Sequence, residues 1–361
     1  MGDRAADEAE HRVHIGSFTS SGGRGITTAA LDPVTGALME LSTTDALADP
    51  SYLVSGVHIG VVYAVSESPE GTVGAFIGEG RGLRPLGAPV PVGGAGPTHL
   101  DVAWPWLLTA HYTSGGVGAV AITEDGSLTG PPQVLQHHGS GPDPARQEGP
   151  HAHQVLPDPS GRWVLSVDLG TDSVRICALD EATGTLRTHS ETALTPGNGP
   201  RHLVFHPDDE VAYVVNELRP LLTVCRWDAE AGRLEPVAEV PLAVEAPSGA
   251  VPGGLEEGVR AYPSAAVVSL DGRFVWVAVR GADHLVTLSL ADGPEKPRLV
   301  GTVDCGGHWP RDLALDFWRN RLYVANERSG DVTWFDVDPE TGRPSRAGSL
   351  PVPAATCVLL G

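Results

Sequence analysis

A short apolar segment that ends in polar or charged residues recurs seven times along the 361 residues of this chain. Each copy is a nearly continuous apolar run of a length typical of a buried β-strand. The copies lie at residues 14–18, 61–67, 107–112, 164–169, 212–217, 275–280 and 322–327. Repetition at such a period indicates one small supersecondary unit stacked several times. This periodicity constrains the fold more than any other feature of the sequence.

A proline that opens a further apolar segment precedes each copy after the first. These prolines are Pro50, Pro97, Pro150, Pro200, Pro263 and Pro310. Each copy is followed by a third apolar segment, a turn such as Glu124-Asp125-Gly126, and a fourth short segment. Glycine in these turns supplies the positive φ that tight hairpins require. Four antiparallel strands per ~50 residues, repeated radially, predict an all-β fold, the seven-bladed β-propeller.

The two ends of the chain fit the closure of a ring. The first copy lacks its proline-led strand, and residues 353–360 resemble residues 50–54, where such a strand is expected. We therefore predict that the C-terminal strand closes the first blade, which would remove exposed sheet edges. The even spacing of the repeats argues against two or three separate β domains. Residues 1–11 are acidic and have no apolar segment, so they are expected to form a disordered tail ahead of a propeller domain at 12–361.

Composition excludes several functions. The formal net charge of −21, from 24 basic and 45 acidic side chains, disfavours nucleic-acid and membrane partners. The only lysine, Lys296, lies in a turn-like segment, and the chain has no phosphate-binding P-loop, no nucleophile-elbow motif and no His-Glu-x-x-His zinc motif. The four cysteines form no Cys-x-x-Cys pair, which argues against a zinc site or a disulfide framework. These features predict a soluble cytoplasmic protein. We expect it to be a monomer or a weak homo-oligomer.

Three phrases carry a family resemblance: Pro-His-Ala-His-Gln at 150–154, Gly-Pro-Arg-His-Leu-Val-Phe-His-Pro at 199–207 and Tyr-Val-Ala-Asn-Glu at 323–327. Together with Asp-x-x-Thr-Gly-x-Leu turns, they resemble the seven-bladed propeller lactonase family, over residues 12–361. That family includes bacterial 6-phosphogluconolactonases and a fungal carboxy-cis,cis-muconate lactonising enzyme. WD-repeat propellers match poorly, because Trp227-Asp228 occurs once and lacks a regular Gly-His partner.

The resemblance implies hydrolysis of a small anionic sugar lactone, with 6-phosphogluconolactone as the first expectation. A muconate-type lactonising cycloisomerase is the alternative within enzymes. A non-catalytic binding or scaffold propeller is the alternative from another class, since fold does not determine function.

Propeller geometry selects candidate site residues. The first strand of each blade begins, and the second strand ends, on the same face of the ring. Residues on that face are Tyr52, His99, His151, His153, Arg201, His202, Arg311 and Asp312 at strand starts, and Glu67, His111, Tyr112, Asp168, Glu217, Arg280 and Glu327 at strand ends. By the resemblance, His153, Arg201, Glu217 and Arg280 match positions proposed as catalytic in the muconate-lactonising branch. We expect His151, His202, Arg311 and Glu327 to contact the substrate.

The chemistry of these residue types suits a lactone. Arginine presents a planar, permanently charged fork to carboxylate, phosphate or a developing oxyanion. Either His153 or Glu217 can activate water, and the sequence leaves this choice open. If Glu217 pairs with Arg201, its carboxylate becomes a weaker base, which favours His153. A strained ester requires neither a cofactor nor a covalent nucleophile, so none is expected.

The sequence disfavours both a zinc site and a calcium site. His151 and His153, with His137 and His138 nearby, lack the further ligands that zinc needs. Glutamate and asparagine at 216–217 and 326–327 can imitate a calcium site, but neighbouring arginines would repel the cation. The long loops at 130–149 and 244–262 are either lids over the channel or insertions without a function; lids are favoured, with Glu256 and Glu257 at the tip of the second.

Overall fold

The computed structural model describes residues 12–242 and 260–361, and within them it is all-β apart from a single 3₁₀ turn at Thr19–Ser21. The tail expected at 1–11 and most of the loop expected at 244–262 lie outside the described residues. Seven antiparallel sheets follow one another along the chain, six of four strands and one of five. The predicted seven-bladed propeller is thereby confirmed.

Each blade is described from the channel outwards. The innermost strands are β29 (Ala355–Leu360), β4 (Leu53–Ser55), β9 (Pro97–Ala103), β13 (Ala152–Pro157), β17 (Pro200–Phe205), β21 (Tyr262–Val268) and β25 (Pro310–Asp316). The second strands are β1 (Arg12–Ser17), β5 (Val61–Ser66), β10 (Trp106–His111), β14 (Val164–Asp168), β18 (Val211–Asn216), β22 (Phe274–Arg280) and β26 (Arg321–Asn326).

The third and outermost strands of each blade lie progressively closer to solvent. The third strands are β2 (Ile26–Leu31), β6 (Thr72–Glu79), β11 (Gly116–Ile122), β15 (Ser173–Leu179), β19 (Leu221–Asp228), β23 (His284–Ser289) and β27 (Asp331–Val337). The outermost strands are β3 (Leu38–Thr44), β7 (Gly82–Pro85) with the short β8 (Val90–Pro91), β12 (Leu128–Gln136), β16 (Leu186–Ala193), β20 (Arg233–Pro241), β24 (Arg298–Asp304) and β28 (Pro344–Pro351).

The ring closes through the chain ends. β29 pairs antiparallel with β1, with His14 opposite Leu359, so the C-terminal strand is the innermost strand of the first blade, as predicted. The last residue continues this sheet, because the Gly361 amide donates to the carbonyl of Arg12 at 2.8 Å. Each innermost strand contacts the innermost strands of both neighbouring blades, including β25 with β29. No blade is therefore left with an open inner edge.

Buried aromatic side chains join consecutive blades. The Tyr63 hydroxyl donates to the Gly126 carbonyl of the next blade at 2.9 Å, and Tyr323 donates across the ring closure to Gly36 at 2.8 Å. The indole N–H of Trp276 likewise donates to the carbonyl of Gly342 in the next blade at 2.8 Å. Each ring fills the apolar space between two sheets while its polar atom pairs with a turn. The repeated blade spacing is thus held by both packing and hydrogen bonds.

A β-bulge near the start of the innermost strand is repeated in six of the seven blades. In blade 5, Pro200 pairs with Asn216 and His202 with Val215, which leaves Arg201 as the extra residue. The corresponding pairs of blade 4 are Ala152 with Asp168 and Gln154 with Val167, so His153 is extra there. A bulge re-aims one side chain without ending the strand.

The bulges correct the proposed repeat alignment in two places. In blade 1 the position equivalent to Pro200 is Ala355, two residues after Pro353, and Thr356 is the extra residue. In blade 4 the position equivalent to Pro200 is Ala152, not Pro150, which precedes the strand. Pro150 therefore lies two residues before the position that Pro200 occupies in blade 5. His153, rather than His151, is consequently the structural counterpart of Arg201.

Candidate active site

Two rings of side chains surround one end of the channel. The inner ring encloses a small cavity and takes one residue from each blade: Ser51, Thr98, His153, Arg201, Ala265, Arg311 and Thr356. The outer ring is formed where the second strands end, at Phe18, Glu67, Tyr112, Leu169, Glu217, Arg280 and Glu327. Repetition of the blade therefore presents fourteen side chains at one mouth, and the sequence varies them to build a site.

Glu217 is the centre of the site. Its Oε2 lies 2.6 Å from Nη2 of Arg280 and 3.1 Å from Nε of Arg201. Its Oε1 accepts a hydrogen bond of 2.5 Å from Nη2 of Arg146, a residue of the loop between β12 and β13. The side chains of Glu217, Arg201 and Arg280 are only 5–8% exposed, whereas that of Arg146 is 33% exposed.

The charges around Glu217 do not balance. Burial raises the pKa of Glu217, but Arg280, Arg201, His153 and Arg146 outweigh it and hold that pKa well below its usual range. Burial, and then the charge of Arg280, lowers the pKa of Arg201 to about 9, which leaves its guanidinium charged at neutral pH. Three guanidinium groups thus surround a single carboxylate, a local surplus of two positive charges.

The opposite side of the mouth carries the reverse imbalance. Arg311 Nη1 lies 3.0 Å from Oε2 of Glu327, and its Nη2 lies 3.9 Å from Oε2 of Glu67. The guanidinium of Arg311 also lies 4.8 Å from the ring centroid of Phe18. Burial raises the pKa of Glu67, opposed mainly by Arg311. One cation and two acids leave this side weakly negative, so the mouth is polarised across its width.

His153 lies between these two groups. Its ring meets the edge of Tyr112 at 5.6 Å, and its backbone carbonyl accepts a hydrogen bond from Thr98. Burial and the charge of Arg201 lower the pKa of His153 well below its usual value, so the imidazole is neutral at pH 7. The adjoining cavity, about 20 Å³, has room for a single water molecule. A neutral base beside a water-sized space is suited to activating water.

The structure brings together all four residues expected to be catalytic, and three of the four expected to contact substrate. His151 stacks on Tyr112 at 4.6 Å, and its Nδ1 lies 2.8 Å from the Tyr112 carbonyl, at the rim of the mouth. Arg311 and Glu327 form the pair on the opposite side.

His202 is placed differently from the other three. One residue further along β17 than Arg201, it lines the wall between the small cavity and a second cavity of about 390 Å³. Burial and Arg201 lower its pKa to about 3.

The arginines at the mouth are paired with glutamates, including the Glu217–Arg201 pair weighed from the sequence. The guanidinium groups of Arg201, Arg280 and Arg311 do share one end of the channel, but each of them is within ion-pair distance of a glutamate. Burying several cations in a low-dielectric channel without counter-charges is too costly. The positive character lies in the unequal numbers of cations and carboxylates around Glu217.

Two residues that make direct contacts in the site had no role predicted from the sequence. Arg146 was not a candidate, and Tyr112 was placed on the site face without a function. Arg146 belongs to the loop at 130–149 that was expected to cover the channel, but no motif distinguishes it there. The hydroxyl of Tyr112 accepts a hydrogen bond of 3.1 Å from Nη2 of Arg146. A lone arginine in a long loop on the site face is the only signal that sequence alone offers.

Comparison with known proteins identifies the family. A model of the lactonase family described as a seven-bladed β-propeller matches residues 12–360. The chain belongs to this lactonase family. It is 32% identical to the 6-phosphogluconolactonase of Bacillus subtilis over 350 residues, which are 96% of this chain and 97% of that protein. It is 26% identical to a protein named 6-phosphogluconolactonase in Formosa agariphila, over 92% of this chain and 94% of that one.

A solved structure supports the same assignment. The periplasmic gluconolactonase of Pseudomonas aeruginosa superimposes with a TM-score of 0.87 at 26% identity, covering 97% of this chain and 98% of its own. The lactonase is thus a carboxylic ester hydrolase, as the sequence suggested, and lactone hydrolysis is the reaction that its family supports. Within residues 12–242 and 260–361, no helix is long and apolar enough to span a membrane.

Proposed function

We propose that this lactonase hydrolyses an anionic sugar lactone, with 6-phosphogluconolactone as its substrate. The observation that carries the proposal is the surplus of two positive charges where Arg146, Arg201 and Arg280 surround Glu217. A phosphate monoester carries nearly two negative charges at neutral pH and complements that surplus. The relative from Bacillus subtilis, which bears the name of this activity, supports the same substrate.

The proposed mechanism assigns each residue one role. His153 takes a proton from a water molecule in the adjoining cavity as the water oxygen attacks the lactone carbonyl carbon. Arg201 and Arg280 stabilise the oxyanion that forms on the carbonyl oxygen, while Glu217 holds both guanidinium groups in place. The bond from the carbonyl carbon to the ring oxygen then breaks, and His153 returns its proton to that oxygen. The products are a carboxylate and an alcohol, with one proton released to solvent.

His153 is better suited than Glu217 to act as the general base. A carboxylate held by three guanidinium groups has little affinity for a proton, so Glu217 is suited to positioning. His153 is a weak base as well, but it is uncharged and adjoins the cavity. We also propose that the enzyme acts in the cytoplasm as a monomer or weak oligomer.

The test is a direct assay of the purified protein. 6-Phosphogluconolactone is generated in the cuvette, and the appearance of 6-phosphogluconate is compared with spontaneous hydrolysis. Carboxymuconate lactonisation is measured in parallel. Acceleration of the first reaction supports the proposal, and activity only in the second assigns the cycloisomerase function instead. A protein inactive in both, with its fold intact, would favour a binding propeller.

Arg201→Ala tests the proposed role of the guanidinium. Loss of a charge-assisted contact in a desolvated site costs about 2–5 kcal/mol of transition-state binding. Arg226→Ala is the matched control, because Arg226, on β19 of blade 5, forms an exposed pair with Glu295 of blade 6. Unchanged kinetics for Arg201→Ala would contradict the proposed oxyanion contact.

A further inference from the structure

Arg146 differs from the other two arginines on Glu217 in where it comes from. Arg201 and Arg280 belong to strands of the propeller, whereas Arg146 is carried by the segment between Gln136 and Ala152. That segment is folded against the site: the buried Gln147 side chain donates to the Leu169 carbonyl at 2.9 Å and accepts from the Asp143 amide at 3.1 Å. Arg146 is therefore held in position by its immediate neighbour.

The exposure of Arg146 makes it the accessible cation of the cluster. Its Nη2 serves both Glu217 at 2.5 Å and the Tyr112 hydroxyl at 3.1 Å. Its Nε and Nη1 donate to no acceptor among the parts of the chain that the structure describes. Its side chain is one-third exposed, so a ligand can reach donors that Arg201 and Arg280 keep buried. These two donors lie on different sides of the guanidinium, and each can bind a separate oxygen of a phosphate.

The arrangement separates two tasks. Arg201 borders the cavity beside His153, where the carbonyl must react, whereas Arg146 lies on the other oxygen of Glu217. A group that binds Arg146 is thus distinct from the group that reacts.

We propose that Arg146, together with the Tyr112 hydroxyl, forms the subsite that binds the phosphate of the substrate and so selects phosphorylated over uncharged lactones. This inference rests on the proposed function and adds to it a specificity-determining residue. The loop fixes the guanidinium beforehand, and little ordering is needed when the phosphate binds.

The experiment compares two lactones and four proteins. The wild type, Arg146→Met, Arg146→Lys and the control Arg226→Met are assayed on 6-phosphogluconolactone and on unphosphorylated glucono-1,5-lactone. We expect Arg146→Met to lower kcat/KM at least 10-fold on the phosphorylated lactone, mainly through KM, and less than 3-fold on the uncharged one. Arg146→Lys keeps the charge and should recover part of the loss, while Arg226→Met should match the wild type.

Equal losses on both lactones would overturn the inference, because they would show that Arg146 only positions Glu217. A binding measurement keeps the test separate from the proposed reaction. Glucose 6-phosphate and glucose are titrated calorimetrically into the same proteins, and selective binding of glucose 6-phosphate that weakens at least 10-fold in Arg146→Met supports the subsite even if the wild type hydrolyses neither lactone. Equal affinity of Arg146→Met and wild type for glucose 6-phosphate would refute it.

Discussion

At the scale of single residues, Glu217 determines how the mouth is charged. Removing a buried carboxylate from between guanidinium groups destabilises a protein, because the cations are then left without a counter-charge. The same carboxylate prevents Arg201 and Arg280 from repelling each other, which would displace both from the channel. Its role is to make a concentrated positive site tolerable within a folded protein.

Replacing Glu217 by glutamine should therefore lower stability and create a stronger anion site. We expect Glu217→Gln to reduce the free energy of unfolding by about 3–5 kcal/mol, since buried cations lose their partner. Inorganic phosphate should restore part of this loss in the variant and have a smaller effect on the wild type. Thermal unfolding with and without phosphate measures both. A variant as stable as the wild type would show that the ion pairs contribute nothing.

The lowered pKa of His153 sets the expected pH dependence of the reaction. Because the folded protein keeps this imidazole neutral well below pH 6.5, the base remains competent as the pH falls through the usual histidine range. We expect log kcat/KM to be flat from pH 7.5 to below 6.5 and to fall only at lower pH. An inflection near 6.5 that disappears in His153→Gln would contradict the lowered pKa.

At the same scale, the sequence predicts residue types better than partners. The repeat placed His153, Arg201, Glu217 and Arg280 on one face, because strand direction alone decides that. It did not reveal that one carboxylate binds three arginines, since the third comes from a loop whose path depends on tertiary contacts. Arg146 has no motif around it, and its place is set by Gln147 and by neighbours distant in sequence.

At the scale of elements, the bulges explain both a success and an error. A bulge adds one residue to the innermost strand, which aims His153 and Arg201 into the cavity. Counting from a proline works in blades 5 and 7, where Pro200 and Pro310 are the paired residues before the bulge. It fails in blades 4 and 1, where Ala152 and Ala355 fill that position and the proline lies two residues earlier. Proline marks the start of a strand without being required there.

The loop that carries Arg146 is anchored to blade 4 by a buried polar cluster. Asp168 Oδ2 lies 2.8 Å from both Nδ1 of His137 and Nη1 of Arg175, and its Oδ1 accepts from the His151 amide. These contacts hold both ends of the segment at 137–151. Burial raises the pKa of Asp168, but its hydrogen bonds and these partners outweigh it and keep that pKa below its usual value.

Asp168→Asn should loosen this loop and weaken the site at a distance. We expect a loss of about 1.5–3 kcal/mol in unfolding free energy, because Arg175 loses its buried counter-charge and keeps only the exposed Glu191. The variant should also have a raised KM for the phosphorylated lactone, since Arg146 is no longer held in place. Urea unfolding and steady-state kinetics measure the two effects, and Asp180→Asn, at an exposed turn of the same blade, is the control. A stability loss with unchanged KM would show that the loop does not depend on this anchor.

At the scale of the whole molecule, closure of the ring was predictable because it follows from counting. Seven second strands and only six preceding first strands leave one strand missing, and the C-terminal segment is the only one remaining. The interior of the channel was less predictable. Five histidines with lowered pKa values lie on inner or second strands, and the charges that surround them come from several blades. That environment is a property of the assembled ring.

These histidines make the whole fold sensitive to acid. The pKa values of His14 and His111 are lowered by burial to about 4, that of His202 to about 3, and those of His99 and His153 well below 6.5. The unfolded chain takes up protons at these positions as the pH falls below 6.5, whereas the folded protein does not, so stability is lost in that range. Asp101 and Asp312 oppose the effect, because burial raises their pKa values to about 6 and the folded protein binds their protons first.

Between pH 6 and 5 the five histidines outweigh the two aspartates by about three protons. At 1.36 kcal/mol per proton and pH unit, the free energy of unfolding should fall by about 4 kcal/mol across that interval. Urea titrations at pH 6.0, 5.5 and 5.0 measure the slope. His14→Gln, in blade 1 and hydrogen-bonded to Thr28 rather than facing the site, should reduce the slope by about one proton. A free energy of unfolding that stays constant from pH 6.5 to 5 would show that the folded protein protonates these histidines as readily as the unfolded chain does. The closed ring would then not hold them neutral.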